Sequence, residues 1–304
     1  MGREMATSQD FANWVCSERI DPDFLRYLFL AEESALSRFS SGSVHQTIYY
    51  PELKALHVCM PSIAQQKRIV AVLDQAFAAL DHARANADAN LADVDRLLES
   101  VKTSVLEVAG KNARQVRLDN VVSINSTLVS PRLPEFVDMP HVGAGNMVSN
   151  SDELIDVLTA RQEGLKSGKY LFDHSMVLYS KIRPYLRKVS RPHFAGLCSA
   201  DVYPLSPTNE IERDFLFYIL LSKSFTDYAI SGSDRAGMPK VNREHMFRYQ
   251  FGLPTLAAQI AAVSKIDAIV DAMGKLKERI QEELADIAAL RKSLLQAAFS
   301  GQLS

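Results

Sequence analysis

Cysteine is scarce in this sequence, and the three residues present show no paired spacing. Cys16, Cys59 and Cys198 stand far apart and form neither a CxxC motif nor a Cys/His ligand pattern. Disulfide frameworks and zinc sites need such spacings, so neither is predicted here. We expect all three cysteines to be reduced and structural.

Long hydrophobic runs are also missing. No segment approaches the roughly 18 apolar residues that a membrane span requires. No N-terminal stretch combines a basic start with an apolar run, as a secretory signal does. We therefore expect a cytoplasmic protein with no membrane partner.

The motifs of common catalytic sites are absent as well. The chain has no GxxxxGK[ST] phosphate loop, no Asn/Asp-Pro-Pro-aromatic tetrapeptide of an adenine methyltransferase and no nuclease pattern of paired acids with a lysine. Gly143-Ala144-Gly145 lacks the third glycine of a dinucleotide fingerprint and indicates a tight turn. The seven histidines are scattered. We expect no catalytic residue, no bound cofactor and no metal.

Length and composition predict a folded protein of about two domains. The chain has 304 residues, of which 47% are hydrophobic, and its net charge is only −2. The distribution of charge is more informative than the sum. No acid occurs between Asp173 and Asp201, whereas residues 81–107 are rich in Asp and Glu. A basic block on a neutral chain is typical of a local phosphate-binding face.

An internal repeat organises the chain. IDPDFLRYLFL at 20–30 returns as IERDFLFYILL at 211–221, and MPSIAQQ at 60–66 returns as LPTLAAQ at 253–259, about 190 residues later. Residues 115–191 have no copy. The repeat predicts half a domain, a long helix, a whole domain and a second long helix.

Two long helices are predicted, over 64–109 and 257–298. Apolar residues recur at spacings of three and four along both, as in helices that pack lengthwise on another helix. Ser62 with Gln65 forms a capping box, whereas Thr255 is followed by Ala258, so only half of the box is repeated. At about 1.5 Å per residue, helices of about 40 residues reach about 60 Å. An intramolecular antiparallel pair and a hairpin that only dimerises the protein both fit this pattern.

The helix-packing or partner-contact residues that we expect lie on these two stripes. They are Ile69, Leu73, Leu80, Leu91, Leu98, Val270, Leu276, Ile280, Leu284 and Leu294.

Short β-type runs such as 175–182, glycine turns and one aromatic helix from Ile211 predict a mixed globule between the helices. The predicted fold class is therefore α+β, a mixed α/β globular domain with two long coiled-coil helices, which are antiparallel if they pair within the chain.

Several sequence phrases resemble one family. The run GKYLFDHSMVLYSKIRPYLRKVSRPHFAGLCSADVYPL (168–205), HVGAGNM (141–147), AGMPKVNRE (236–244), LPTLAAQ and LRKSLLQAAFSGQL (290–303) resemble the specificity subunits of Type I restriction-modification systems, called HsdS. The resemblance covers essentially the whole chain, in the right order.

The resemblance implies a subunit that reads double-stranded DNA and catalyses nothing itself. Target recognition domains held apart by the helices would each read one half of a bipartite target. Methyltransferase (modification) subunits and a restriction subunit would dock on it, with S-adenosylmethionine and ATP bound by those partners. The implied domains are 1–63, the C-terminal half of a recognition domain; 64–114, a spacer helix; 115–256, a complete recognition domain; and 257–304, a second spacer helix.

Two departures from the family pattern stand out. The acid of the usual PLxEQ phrase is replaced by Gln65 and Ala258. The first half of the N-terminal recognition domain has no match, which leaves open a fragment, a complementing half-subunit supplied as a separate chain, or a form that pairs with itself as a homodimer.

Candidate DNA contacts come from the basic block and from the loop 231–243. Arginine suits bidentate guanine recognition, lysine suits phosphates, and asparagine can pair with adenine. The basic block could instead be a solvated edge strand, and the loop an ordinary surface loop. The candidates are Lys181, Arg183, Tyr185, Arg187, Lys188, Arg191, Arg235, Lys240, Asn242 and Arg243.

A second functional hypothesis stays open from the sequence. A truncated specificity chain could act as a coiled-coil scaffold or assembly inhibitor that binds methyltransferase subunits without productive DNA recognition.

Overall fold

The structure is a computed structural model. It describes residues 6–8, 11–32, 36, 48, 50–54, 57–124, 127–233 and 239–300. Contacts divide the chain into two compact units, Met1–Asp93 with Lys275–Ser304, and Val94–Gly274. We call these unit 1 and unit 2.

Two long helices are confirmed. Helix α3 spans Ile63–Gly110 and helix α8 spans Leu256–Phe299, so each bound lies within one residue of the predicted segment. Each helix contributes to both units, which means that the compact units cut across the domain boundaries expected from the sequence. Those domain boundaries stay a prediction.

In unit 1, helix α1 (Pro22–Ala31) packs on the two long helices, and the short helix α2 spans Tyr50–Lys54. Asp21 caps α1 by accepting hydrogen bonds from the amides of Asp23 and Phe24. The core of this unit includes Tyr27, Leu73, Phe77 and Ala298. Leu73 of α3 belongs to one cluster with Ala298 of α8, whereas Phe77 and Asp81 contact Arg291, so positions that rise along α3 meet positions that fall along α8. The two helices are antiparallel here.

Unit 2 carries the strands. They are β1 (Arg114–Arg117), β2 (Val122–Ile124), β3 (Leu128–Val129), β4 (Pro140–Val142), β5 (Leu158–Thr159), β6 (Lys169–Phe172), β7 (Val177–Ser180), β8 (Val189–Ser190), β9 (Gly196–Cys198), β10 (Val202–Pro207) and β11 (Gln250–Leu253). Its shorter helices are α4 (Leu118–Val121), α5 (Arg213–Leu221), α6 (Lys223–Ser231) and α7 (Arg243–Phe247).

The strands form three sheets, with the orders β1-β11, β2-β10-β7-β8 and β3-β6-β9-β4-β5. Pairing is antiparallel except between β4 and β9. The sheet that holds β7 and β10 packs against α5, whose residues 215–221 are all buried. This core supports the loops that follow β7.

The end of α3 lies very close to β11. A β-carbon added at Gly252 would lie 2.5 Å from the Gly110 carbonyl oxygen, so only glycine fits at this position. The close approach joins α3 to the β-rich part of unit 2.

Candidate nucleic-acid interface

A tight turn follows β7 and carries the basic block. Pro184, Tyr185 and Leu186 form one 3-10 turn between Arg183 and Arg187. Both arginines have left-handed backbone conformations, with φ of 50° and 46°. Non-glycine residues seldom adopt this conformation, and such residues cluster at functional sites.

The structure brings the turn together with residues 239–241, near the end of the loop 231–243. Ile182 forms an isolated antiparallel bridge with Lys240. The Arg183 amide donates to the Pro239 carbonyl at 2.8 Å, and the Val241 amide donates to the Lys181 carbonyl at 2.8 Å. Two segments that the sequence separates by more than fifty positions thus share one surface. We define the basic surface as Lys181, Arg183, Tyr185, Lys240 and Arg243.

Arg183, Tyr185 and Arg243 are exposed members of this surface. Tyr185 retains 53% of its accessible area. The Arg243 guanidinium stacks over the Phe247 ring at 5.5 Å. Among the described residues, neither Arg183 nor Arg243 has an ion-pair partner. Exposed arginines beside a tyrosine hydroxyl are groups that bind DNA phosphates and base edges.

Asp201 partly neutralises the two lysines of the surface. Its carboxylate lies 3.1 Å from Lys240 Nζ and 3.6 Å from Lys181 Nζ. Lys181 Nζ also donates to the Ala200 carbonyl at 2.6 Å. The carboxylate fixes the lysines beside the arginines and lowers the net positive charge that they offer.

Arg187 differs from the sequence expectation. Its guanidinium pairs with Glu99 of α3 at 2.5 Å, and its side chain is only 20% exposed. The Asn150 amide group donates to the other Glu99 oxygen at 3.2 Å. The structure therefore places Arg187 in an ion pair inside unit 2, which argues against a DNA contact.

Arg191 is held by three carboxylates. Its nitrogens lie 3.1 Å from Asp152, 3.4 Å from Asp214 and 3.0 Å from Asp267. The guanidinium also lies over the Phe217 and Tyr218 rings, at 4.6 and 5.3 Å. The side chain is 14% exposed and each of its nitrogens has a carboxylate partner, which argues against the expected DNA contact.

The remaining candidates have local roles or are not described. Lys188 is partly buried and donates to the Ala144 carbonyl at 2.7 Å. Asn242 caps α7, accepting from the His245 amide at 2.7 Å, so its side-chain oxygen is engaged. Arg235 lies outside the described residues.

Most of the expected packing positions on the two long helices are buried or half-buried. The exceptions are Val270 and Leu276, which are 36% and 41% exposed. Nearby positions of α8 that turn inward are Ile266 and Ile280. Ile266 and Ile280 are 14 residues apart, which is two heptads, so the packed face keeps a 3.5-residue period and the more exposed Val270 and Leu276 lie at its edge. Packing within the chain at Val270 and Leu276 is thus not what the structure shows, and contact with a partner stays a prediction there.

Sequence reasoning missed a pair of identical hydrogen-bond networks. The Gln66 side chain accepts from the Asp21 amide at 2.8 Å and donates to the carbonyls of Arg19 and Pro61 at 3.0 and 2.9 Å. Gln259 makes the same three bonds, at the same distances, with Glu212, Glu210 and Pro254. Both side chains are fully buried. The glutamine that ends both repeated phrases was the signal that could have revealed them.

Across the described ranges, no group of three or more His, Cys, Asp or Glu side chains is arranged to hold a metal. Within the same ranges, the helices are too short or too polar to cross a membrane.

Two known proteins have sequences similar to this chain over most of its length. The chain is 26% identical to the Type I restriction enzyme EcoDI specificity subunit of Escherichia coli over 322 aligned positions, which cover 94% of this chain and 71% of that protein. It is 21% identical to the StySPI specificity subunit of Salmonella potsdam, covering 94% of this chain and 66% of that one. This chain is a homologue of Type I specificity subunits. The resemblance expected from the sequence is thereby confirmed.

Solved structures agree on the fold. The chain matches a protein of a type I restriction-modification system, solved in work on complex assembly and conformational transition, with a TM-score of 0.72 and 18% identity over 93% of this chain and 72% of that one. It also matches the HsdS subunit of Thermoanaerobacter tengcongensis, with a TM-score of 0.56 and 19% identity over 93% of this chain and 71% of that subunit. The mixed fold with long helices is therefore confirmed. No family model matches the chain.

Proposed function

We propose that this chain is the DNA-reading specificity subunit of a Type I restriction-modification complex and is itself non-catalytic. One observation carries the assignment of the reading site. The Ile182–Lys240 bridge joins two separate basic segments into one surface on the fold of a specificity subunit. The exposed arginines of that surface supply the DNA contacts, whereas Arg187 and Arg191 do not.

The chemistry of the surface supports duplex DNA as the ligand. Guanidinium groups bind phosphate or guanine through paired N–H donors, and the exposed Tyr185 hydroxyl can donate to a phosphate. Within the turn Pro184 is buried and Leu186 half-buried, whereas Tyr185 is exposed between the two left-handed arginines. The turn therefore presents the Tyr185 ring and the Arg183 side chain to a ligand in solution.

Docking of modification and restriction subunits is the second part of the proposal. The two helix starts present the same backbone geometry, because Gln66 and Gln259 fix them with the same bonds. Exposed Ile63 and Leu256 occupy equivalent positions at these starts, at 39% and 45% exposure. Two equivalent surfaces would receive two copies of one modification subunit, which would bind S-adenosylmethionine.

The expected domain division and pairing of copies also belong to the proposal. Residues 1–63 and 115–256 act as recognition modules, with 64–114 and 257–304 as spacers. Val270 and Leu276 are exposed apolar positions through which a second copy or a complementing half-subunit would pack. The mass of the chain in solution, alone and with the modification subunit, tests this pairing.

DNA binding by the full chain tests the reading site. Fluorescence anisotropy with a mixed-sequence duplex should show binding weakened about tenfold or more by Arg183→Glu combined with Arg243→Glu, because two attractive contacts become repulsive. Arg132→Glu is the matched control, since Arg132 is an exposed arginine of unit 2 that is not part of the basic surface. Equal affinities for all three proteins would contradict the assignment and favour a scaffold that binds partners without reading DNA.

A further inference from the structure

The turn that carries the basic surface is tied to both long helices within unit 2. Arg187, at the end of the turn, pairs with Glu99 of α3 at 2.5 Å. Arg191, four positions later, pairs with Asp267 of α8 at 3.0 Å. Two arginines from one short segment thus reach two different helices.

The Arg187 link is reinforced by the loop at 150. The Asn150 side chain donates to Glu99, and its backbone amide donates to the Arg187 carbonyl at 3.1 Å. Asn150 itself has a left-handed backbone, with φ of 56°. Burial alone would raise the pKa of Glu99, but hydrogen bonds from Arg187 and Asn150 and the charge of Lys102 lower it overall. Glu99 is therefore held ionised against the arginine.

The Arg191 link gathers acids from three elements. Asp152 comes from the loop before β5, Asp214 from α5 and Asp267 from α8. Tyr218 of α5 donates its hydroxyl to the same Asp267 oxygen that pairs with Arg191. A planar guanidinium with several donors can satisfy such a set in one fixed orientation, which an ammonium group cannot do.

The ion pairs of Arg187 and Arg191 connect the turn to the two long helices. We propose that Arg187 and Arg191 are positioning residues, which set the orientation of the basic surface on both spacer helices and thereby sharpen discrimination between DNA sequences. This inference rests on the proposed function, because the surface must read DNA for its orientation to matter. If the orientation of the basic surface is fixed, its side chains contact the duplex in one register only, because a misplaced donor does not reach its base.

Salt dependence separates a positioning residue from a phosphate contact. Each phosphate contact adds about 0.9 to the slope of log affinity against log salt on duplex DNA. Arg183→Ala should therefore lower the slope by about one on a mixed-sequence duplex. Arg187→Ala should leave the slope unchanged. It should instead reduce, by about tenfold, the preference for a duplex selected from a randomised pool by the unaltered chain over a scrambled duplex.

A charge swap tests the link without deleting it. Glu99→Arg combined with Arg187→Glu restores the ion pair in the opposite sense and should recover most of the lost preference, whereas either single reversal should not. Hydrogen exchange of residues 181–191, measured on the same proteins, should rise in the single variants and fall back in the double variant. Hydrogen exchange thus measures how firmly residues 181–191 are held, independently of DNA binding.

The outcomes separate this inference from the function on which it rests. A slope lowered by Arg187→Ala as much as by Arg183→Ala would make Arg187 a DNA contact, overturning the inference while keeping the function. Unchanged preference in Arg187→Ala and in both reversals would also overturn it. If the unaltered chain showed no salt-dependent binding to either duplex, the proposed function and the inference would fall together.

Discussion

The two copies of the repeat fix the starts of their long helices with the same hydrogen bonds. They differ in the arginine that pairs with the equivalent aspartate of each long helix. Gln66 and Gln259 make matching bonds at the helix starts. Two turns further along, Asp74 and Asp267 each accept a tyrosine hydroxyl, from Tyr27 and Tyr218.

The arginine beside each of these carboxylates has a different origin. In unit 1 it is Arg26, which precedes Tyr27 on α1 and is 53% exposed. In unit 2 it is Arg191, which follows β8 and is 14% exposed. Local sequence is enough to encode a helix start, whereas the arginine position depends on which chain segment packs there.

The largest expected effect on stability comes from removing these arginines, and the two losses should differ between the two copies. Arg191→Ala leaves Asp152, Asp214 and Asp267 without their shared cation, so unit 2 should lose about 3 kcal/mol of stability. Arg26→Ala should cost less than about 1 kcal/mol, because its ion pair is exposed to solvent. Denaturant-dependent hydrogen exchange, read separately for each unit, measures both. Equal losses would mean that burial of the arginine does not distinguish the two copies.

The paired glutamines come next and should behave alike. Gln66→Leu and Gln259→Leu each leave one backbone amide and two backbone carbonyls, most of them partly buried, without their side-chain partner. Each change should therefore cost about 2 kcal/mol in its own unit. Gln281→Leu, at an exposed position of α8, is the control and should change stability little. A loss confined to one of the two units would show that the copies are not equivalent.

The helix caps should show a smaller difference between the copies. Ser62 and Gln65 make three hydrogen bonds, at 3.4, 3.1 and 2.9 Å, whereas the Thr255 side chain accepts one, from the Ala258 amide at 3.4 Å. Ser62→Ala should cost about 1 kcal/mol and Thr255→Ala about half as much. Unfolding midpoints of the two variants, compared under one buffer, test the order. The reverse order would contradict the idea that half a capping box is the weaker one.

The smallest expected effect is on the pH dependence of the stability of unit 2. The pKa of Glu99 is lower in the folded protein than its ordinary value, so its contribution to stability is present above that ordinary value. The contribution is lost as pH falls through the lowered folded pKa. Glu99→Gln should flatten the acid side of the stability curve of unit 2 without changing its alkaline side. Superimposable acid limbs would contradict the Glu99–Arg187 link.

The sequence predicted the long helices accurately but could not show which arginines of the basic block form ion pairs within the chain. Periodicity and a Pro-Ser or Pro-Thr start are local features, so both helix bounds fell within one residue. Charge neutralisation is not local. The acid-free window from 174 to 200 contains Arg187 and Arg191, yet their partners Glu99 and Asp267 lie 88 and 76 positions away along the chain.

The same limit applies to the proposed basic surface. Arg183 and Tyr185 were named from the basic block, and Lys240 and Arg243 from the loop, but nothing in the sequence showed that the two segments meet. Their contact depends on the Ile182–Lys240 bridge, which only the tertiary fold creates. Residue types therefore indicated which side chains could bind DNA, and packing determines which of them are exposed.

Methylation mapping tests the central claim most directly. The chain would be produced with its modification subunit in cells that lack other adenine methylation, and modified adenines would be located across the genome by sequencing. We predict methylation at one defined sequence motif, lost or altered when Arg183 and Arg243 are both changed to Glu and kept with Arg132→Glu. Methylation without any sequence motif, or the same motif in all three proteins, would contradict the reading role of the basic surface.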